Sequence, residues 1–358
     1  MYRDHSVGVV LPAYNEEGFV GDVIREMPAF VDRIYAVDDC STDGTWEEMR
    51  TAAAADAVDR DDPGPDEDEL DYDERLVTDG GGSALTRRAS VGEPIGRVLP
   101  IRHHENRGAG GAIKTGYLAA LRDGRDATVT VDADGQMDLS RMSTLLDPIV
   151  DGEAEYAKGN RLLYREYRQD MPRFRFLGNS ILTFLTKVAS GYWKTMDPQN
   201  GYTAISGYAL ENVGVEDMYE YYGYCNDLLV KLNAKGMRVA DVAIPAIYGE
   251  ETSSISYPTY IRRVSWMLFK NFCWRLGAKY LVLDFHPLAF FYVFGTATTA
   301  IAVVCSLWTA YVTVAHGAAL FVRASLSLLL LLVGSLFLMF AMLFDMQVNE
   351  SKEVQIRE

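Results

Sequence analysis

Two stretches in the last third of the chain contain no Asp, Glu, Lys or Arg: Pro287 to Ala315 and Ala324 to Phe344. Each exceeds the ~20 apolar residues a helix needs to cross a bilayer. A backbone in hydrocarbon must satisfy its own hydrogen bonds, so such stretches are helical. Only a short connector with His316 and Arg323 separates them, which predicts a hairpin over 286–348 with both flanks on one side. Residues 251–285 interleave Arg262, Arg263, Lys270, Arg275 and Lys279 with Trp266, Phe269, Phe272, Trp274 and Tyr280. That mixture reads as amphipathic helices in a membrane interface. The basic cluster puts this flank in the cytoplasm, which leaves 349–358 as a cytoplasmic tail. A hairpin buried in a soluble core is a poor alternative for runs this long.

The first 250 residues read as one α/β domain. Val7 to Leu11 is a short apolar run ended by Pro12, as in a buried parallel strand. Glu16 to Met27 has helical spacing. Ile34 to Val37 is a second strand, closed by Asp38 and Asp39, and Ser41 and Asp43 are N-cap candidates for a helix through Trp46 and Met49. Arg97 to Ile101 and Ala127 to Val131 add further strands. The expected fold is a Rossmann-like open sheet with flanking helices, whose ligands bind beyond the carboxyl ends of the strands. Residues 55–96 break the pattern: a run of Asp, Glu, Pro and Gly cannot bury a core and predicts a mobile surface insertion. Deleting about 60–92 is expected to leave activity largely intact.

The formal charge of −16 excludes nucleic acid as a partner, because a phosphate backbone needs a basic surface. Acidic residues spread this widely suit a salt-rich, halophilic cytoplasm. The four cysteines are scattered and read as isolated thiols. No signal peptide opens the chain, so the N-terminus is expected in the cytoplasm.

Candidate chemistry lies at the strand ends. Asp132 and Asp134, one residue apart just past a strand, point the same way. Their hard oxygens suit Mg²⁺ or Mn²⁺ holding a diphosphate, with Gln136 as a further oxygen ligand. Asp39 closes an earlier strand and is placed to accept from a base N–H or a ribose hydroxyl; helix capping is the competing role. Pro12, Ala13, Tyr14, Asn15 and Glu16 would wall the same cleft. Asn106 to Ala112 is rich in small residues, so Asn106 and Gly108 allow close approach of a ligand, while Lys114 or Arg107 offsets phosphate charge. This segment is not G-x-G-x-x-G, and a dinucleotide fingerprint is not expected.

Val9 to Glu17, Val37 to Thr45, Asn106 to Ala112 and Asp132 to Gln136 together resemble the family-2 glycosyltransferases of the GT-A fold, over most of residues 6 to 250. Within that family the pattern is most similar to the dolichyl-phosphate mannose and glucose synthases. The resemblance implies a nucleotide-sugar donor (GDP or UDP), a polyprenyl or dolichyl phosphate acceptor at the bilayer, and a single inverting displacement serving protein or surface glycosylation. It implies donor contacts from the 12–16 segment, Asp39, Asn106, Gly108, Lys114, Asp132 and Ala133. Metal ligation falls to Asp132, Asp134 and Gln136, with Asp134 also in the catalytic set. Acceptor contacts fall to Arg161, Arg175, Asn179 and Asn200, the last within Asp197 to Ala204. Tyr248 to Ser253 and Ile255 resemble the loop leading to the interface helices. Two departures stand out: Asn160 replaces a Ser, and Asn226 replaces the first of an acidic pair, which leaves Asp227 as the candidate base, with an N-cap or salt-bridge role as the alternative. A polyprenyl phosphate, with a second pKa of ~6, is largely ionised and needs no strong base. A sugar hydroxyl on a lipid-linked oligosaccharide would need one. An inactive nucleotide-binding membrane scaffold is the alternative outside enzymology.

Overall fold

The computed structural model describes residues 1–60, 82–163, 173–245, 257–317 and 319–356. For residues 82–83, 173–177, 179 and 257–259 it describes the backbone alone.

Nine strands form one sheet in the order β3-β4-β2-β1-β5-β7-β6-β8-β9. They are β1 (Val7–Ala13), β2 (Arg33–Asp38), β3 (Ala89–Val91), β4 (Val98–His103), β5 (Ala127–Thr130), β6 (Tyr156–Asn160), β7 (Thr203–Ser206), β8 (Val239–Ala243) and β9 (Glu353–Ile356). Strands β4, β2, β1 and β5 run parallel, and β7 is antiparallel to both β5 and β6. The chain grows outward from β1 through β2 to β4, then returns to β5 on the other flank of β1. That order reverses at β1, and in open α/β sheets ligands bind beyond the carboxyl ends of the strands at such a point, here β1 and β5.

The parallel strands are buried on both faces, which explains their unbroken apolar runs. On one face Val9, Leu11, Ile34 and Val129 pack with Val20, Met49, Met142 and Leu146. On the other Val10, Tyr35 and Leu99 pack with Ile113, Tyr117, Leu228 and Leu232. The open α/β sheet with flanking helices is therefore as expected.

Four local expectations change. The first helix spans only Val20–Arg25. Residues 15–18 instead form a turn, with the Glu16 amide donating to Thr45 Oγ1 (2.8 Å) and Gly18 at φ 93°. The second helix runs Thr45–Asp59, into the insertion, because alanines favour helix and buried Asp56 pairs with Arg97 at 2.7 Å. At the far end of the insertion, Gly82–Thr86 is helical and β3 pairs antiparallel with β4. The acidic run itself, 61–81, lies outside the described residues. Lastly, the presumed tail is β9. It pairs parallel with β8, and Val354 and Ile356 pack on the core.

Two helices, Leu288–His316 and Phe321–Asn349, are long and apolar enough to cross a membrane. They pack through small residues: a Cβ on Gly295 would stand 2.9 Å from Leu338 N, and one on Gly334 would stand 2.8 Å from Thr299 N. The preceding helix, Tyr257–Gly277, exposes Arg262, Arg263, Trp266, Phe269 and Lys270. Arg275 and Lys279 depart from the expected interface cluster, being 0% and 2% exposed. Arg275 forms a bidentate pair with Asp345 (3.0 and 2.8 Å) and reaches the Val188 carbonyl at 3.1 Å. Tyr280 donates to the same carboxylate at 2.7 Å. Lys279 donates to Asn233 Oδ1 (2.6 Å) and Asn349 Oδ1 (2.8 Å). Arg275 is tolerable there because it is ion-paired, whereas Lys279 donates to amide oxygens and burial pushes its ammonium down to about 6. The hairpin is thereby joined to the helix Tyr257–Gly277 by the ion pair and to the sheet by β9.

Candidate active site

The loops after β1 and β2 are bound to each other. The Asn15 amide donates to Ser41 Oγ (3.0 Å), and the Thr42 amide donates to Asn15 Oδ1 (2.9 Å). Asn15 sits at φ 57°, a left-handed turn that Asn tolerates. Pro12 and Ala13 are the last residues of β1, and Ala13 is only 3% exposed. Tyr14 and Asn15 present their side chains to solvent, and Glu16 is half-buried.

Asp39 is 2% exposed and its carboxylate is heavily engaged. Oδ1 meets His103 Nδ1 (2.6 Å) and accepts from the Arg107 amide (2.8 Å), while Oδ2 accepts from the Gly108 amide (2.7 Å). Asn106 Nδ2 donates to the Asp39 carbonyl at 3.2 Å. Asp39 therefore fixes the loop that starts the helix Ala109–Arg122. That is the capping role, at a different helix from the one anticipated.

The glycines of that loop admit the chain itself. The Gly111 amide donates to the Glu220 carbonyl at 2.7 Å, and a Cβ on Gly110 would lie 2.8 Å from the Tyr219 carbonyl. The Glu220 carboxylate takes Arg88 (2.5 Å) and Lys114 (2.9 Å), with Arg107 at 3.6 Å. Burial pushes this carboxyl up, but Arg88 and Lys114 outweigh it and bring it down to about 2. Lys114 thus faces a carboxylate of its own chain. Arg88, from the end of the presumed insertion, also donates to Thr115 Oγ1 (3.2 Å) and the Gly111 carbonyl (3.2 Å). The whole span 60–92 is therefore not a detachable loop.

Residues 219–223 form a strap from this cluster to the helix Tyr224–Ala234. At its far end a Cβ on Gly201 would lie 3.2 Å from the Tyr224 hydroxyl and 3.4 Å from Asp132 Oδ2. The end of β5, the 197–201 segment and the strap thus meet at Asp132. Asp132, Asp134 and Gln136 are half-buried, and Asp134 Oδ1 accepts from the Gln136 amide at 2.9 Å. Ala133 between them is buried. Among the described residues no group of three or more His, Cys, Asp or Glu side chains could enclose a metal. Two reachable carboxylates do fit a hard cation that takes its remaining ligands from water and a diphosphate, as Mg²⁺ commonly does.

Just past β6, Arg161 forms a bidentate pair with Asp197 (2.7 and 2.9 Å). Burial pushes the Asp197 carboxyl up, yet the Arg161 guanidinium holds it below the usual range. Asn200 is 7% exposed; its Oδ1 accepts from the Tyr202 amide at 3.0 Å and its carbonyl accepts from Cys225 Sγ at 3.6 Å. Arg175 and Asn179 lie on the helix Arg173–Ser190, but their side chains lie outside the described residues. Tyr248 to Ser253 and Ile255 lie outside them too.

Asp227 is 4% exposed and both its carboxylate oxygens are engaged by the protein. It accepts from Asn271 (2.6 Å) and the Tyr219 amide (3.0 Å) and pairs with Lys231 (3.1 Å). It secures the strap and is poorly placed to take a proton from a substrate. Sequence reasoning passed over Arg88, His103, Glu220, Asp241 and Tyr224. Each acts through a partner distant in sequence, and no motif marks it.

The sequence model described as "Glycosyl transferase family 2" matches residues 8–63 and 76–214. A UDP-N-acetylglucosamine–dolichyl-phosphate N-acetylglucosaminyltransferase of Methanococcus voltae is 28% identical over 248 residues, 69% of this chain and 88% of the relative. An uncharacterized protein of Methanocaldococcus jannaschii is 26% identical over 247 residues, 69% of this chain and 83% of the relative. Among solved structures, glucosyl-3-phosphoglycerate synthase of Mycobacterium tuberculosis with UDP aligns at a TM-score of 0.49 and 18% identity, covering 75% of this chain and 81% of that one. A mannosyltransferase of Pyrobaculum calidifontis with GDP-mannose and Mn²⁺ aligns at 0.44 and 19% identity, covering 96% and 86%.

Proposed function

The chain belongs to glycosyl transferase family 2, and from that premise we propose that it moves a hexose from a UDP- or GDP-sugar to a polyprenyl or dolichyl phosphate. The transfer takes place at the cytoplasmic face of a membrane crossed twice by the C-terminal hairpin. One observation carries the reading: Asp132 stands at the sheet's switch point, beside Gly201 and the Tyr224 hydroxyl, in a domain joined to two membrane-length helices. The printed activity of the Methanococcus relative supports both the acceptor class and a UDP-linked donor as the first to try.

Asp132 and Asp134 would hold Mg²⁺ or Mn²⁺, which neutralises charge building on the departing diphosphate. Tyr14 and Asn15 would border the nucleoside, on a loop pinned to Ser41 and Thr42. Asp39 would act at one remove, by fixing the Asn106–Gly108 loop. Arg161, still 28% exposed while paired with Asp197, would face the acceptor's anionic group. The inward pairing of Asp227 favours a phosphate acceptor, which brings its own nucleophilic oxygen. Asp227→Asn should then lower kcat less than Arg161→Ala does, by steady-state rates in detergent. The opposite ranking would favour a lipid-linked saccharide with a hydroxyl nucleophile.

The direct test incubates purified protein with UDP- and GDP-sugars, mixed polyprenyl phosphates and Mn²⁺, and weighs the glycolipid product. A product one hexose or acetylhexosamine heavier than its acceptor is expected. No glycolipid and no released nucleoside diphosphate with any donor would point to an inactive nucleotide-binding scaffold.

A further inference from the structure

Four consecutive backbone amides just ahead of the 197–201 segment are gripped by two carboxylates from neighbouring strands. The amides of Trp193, Lys194 and Thr195 donate to Glu353 at 2.8, 2.7 and 2.7 Å, and Thr195 Oγ1 donates to it at 3.1 Å. The next amide, Met196, donates to Asp241 Oδ2 at 2.9 Å. Asp241 is 1% exposed and also takes Lys158 (2.7 Å) and Asn160 (2.6 Å). Glu353 and Asp241 belong to β9 and β8, which pair in parallel. One of these strands precedes the membrane hairpin and the other follows it.

We propose that the strand after the hairpin completes the catalytic site, with Glu353 as a positioning residue for residues 196–201. Charge-assisted bonds to backbone amides are among the stronger ones a carboxylate makes. Three in a row fix the path of 193–195, and Asp241 fixes 196. The chain then enters Asp197, held at φ 49° and clamped by Arg161. Four residues later it reaches Gly201, against Asp132 and Tyr224. The hairpin is therefore more than a tether. Its exit strand sets the wall facing the candidate metal carboxylates, an inference that rests on the transferase reading for what that wall does.

The test compares the full-length protein with Glu353→Gln, with a chain ended after Lys352, and with the exposed control Ser351→Ala. Glu353→Gln keeps the shape of the side chain but turns one acceptor into an N–H donor facing other donors. Amide hydrogen exchange over 193–197 should accelerate in both altered chains and not in the control. At equal amounts of folded protein, kcat should fall on the order of 10- to 100-fold, as displaced site geometry does. Affinity for UDP or GDP with Mn²⁺ should stay unchanged. A purely structural role would lower the melting temperature with kcat per folded molecule intact, which would overturn the proposal, as would unaltered exchange in Glu353→Gln. A wild-type protein that transfers no sugar would count against the preceding reading, while the exchange measurement would still decide whether Glu353 holds the turn.

Discussion

The half of the sheet proposed to hold the donor and the half proposed to face the acceptor are built in different ways. Around β1, β2, β4 and β5, the candidate side chains other than Lys114 follow their own strands within a few residues. The strands are parallel and fully buried, and the loops lock to loops close by, as Asn15 does to Ser41 and Thr42. Around β6, β7, β8 and β9 the wall is assembled from far apart. Asp241 grips Met196, Glu353 grips 193–195 from more than 150 positions away, and Arg275 meets Asp345 across the membrane hairpin. In the first half most candidate side chains are placed by their strand ends, although Glu220 closes the Arg88–Lys114 cluster from far along the chain. The Glu353 contacts of the second exist only once the hairpin has folded back.

The largest effect tests the donor side. Asp132→Asn and Asp134→Asn should each cut kcat on the order of 1,000-fold, since a bound metal supplies several kcal/mol of charge stabilisation. Their melting temperatures should stay near wild type, because both side chains are only half-buried. Activity that survives thorough EDTA treatment would break the assignment.

Next comes the joint. Arg275→Met alone leaves Asp345 buried without its charge partner and should cost about 3–5 kcal/mol in detergent unfolding. Adding Asp345→Leu should recover much of that loss. Equal loss in the single and double variants would mean that packing, not charge pairing, holds the hairpin to the domain.

A smaller effect separates the ordered and acidic parts of the insertion. Arg88→Ala leaves Glu220 short of a donor and should destabilise by about 1–3 kcal/mol. Replacing residues 61–81 by a short Gly-Ser linker should change kcat and melting temperature little. Equal damage from the two changes would show that the acidic run is needed for folding.

The smallest is a pH effect. Folding holds the Glu220 carboxyl at about 2, below its ordinary value near 4.3. Its contribution is therefore complete above that ordinary value and fades as pH falls toward 2. The urea midpoint of Glu220→Gln should trail wild type at pH 6, and the gap should narrow below about pH 4 and close only as pH falls past about 2. A gap that does not change with pH would remove the ion cluster as its cause.

These contrasts follow what could be read in the residues. Asp132 and Asp134 were visible because a buried strand precedes them, and the hairpin because twenty uncharged residues have few other destinations. Asp39 was visible as a strand-end carboxylate, but its employment was not, since His103 and Gly108 reach it only after β4 has paired with β2. Asp227 could be read as a base or as a salt-bridge partner, and the sequence could not choose because Asn271 and the Tyr219 amide join Lys231 on it only in space. Glu353 looked like part of a tail because four residues carry too short an alternation to announce a strand.

Sequence alone determined the open α/β sheet, the acidic pair past β5 and the two membrane-length helices, because hydrophobic periodicity and charge-free length are properties of contiguous residues. Tertiary structure alone decided that Lys114 faces Glu220, that Arg275 is buried in an ion pair and that the chain's end becomes its ninth strand. The reason is physical: a hydrogen bond or ion pair depends on which atoms arrive within about 3 Å of one another, and nothing in the local order of residues encodes that arrival.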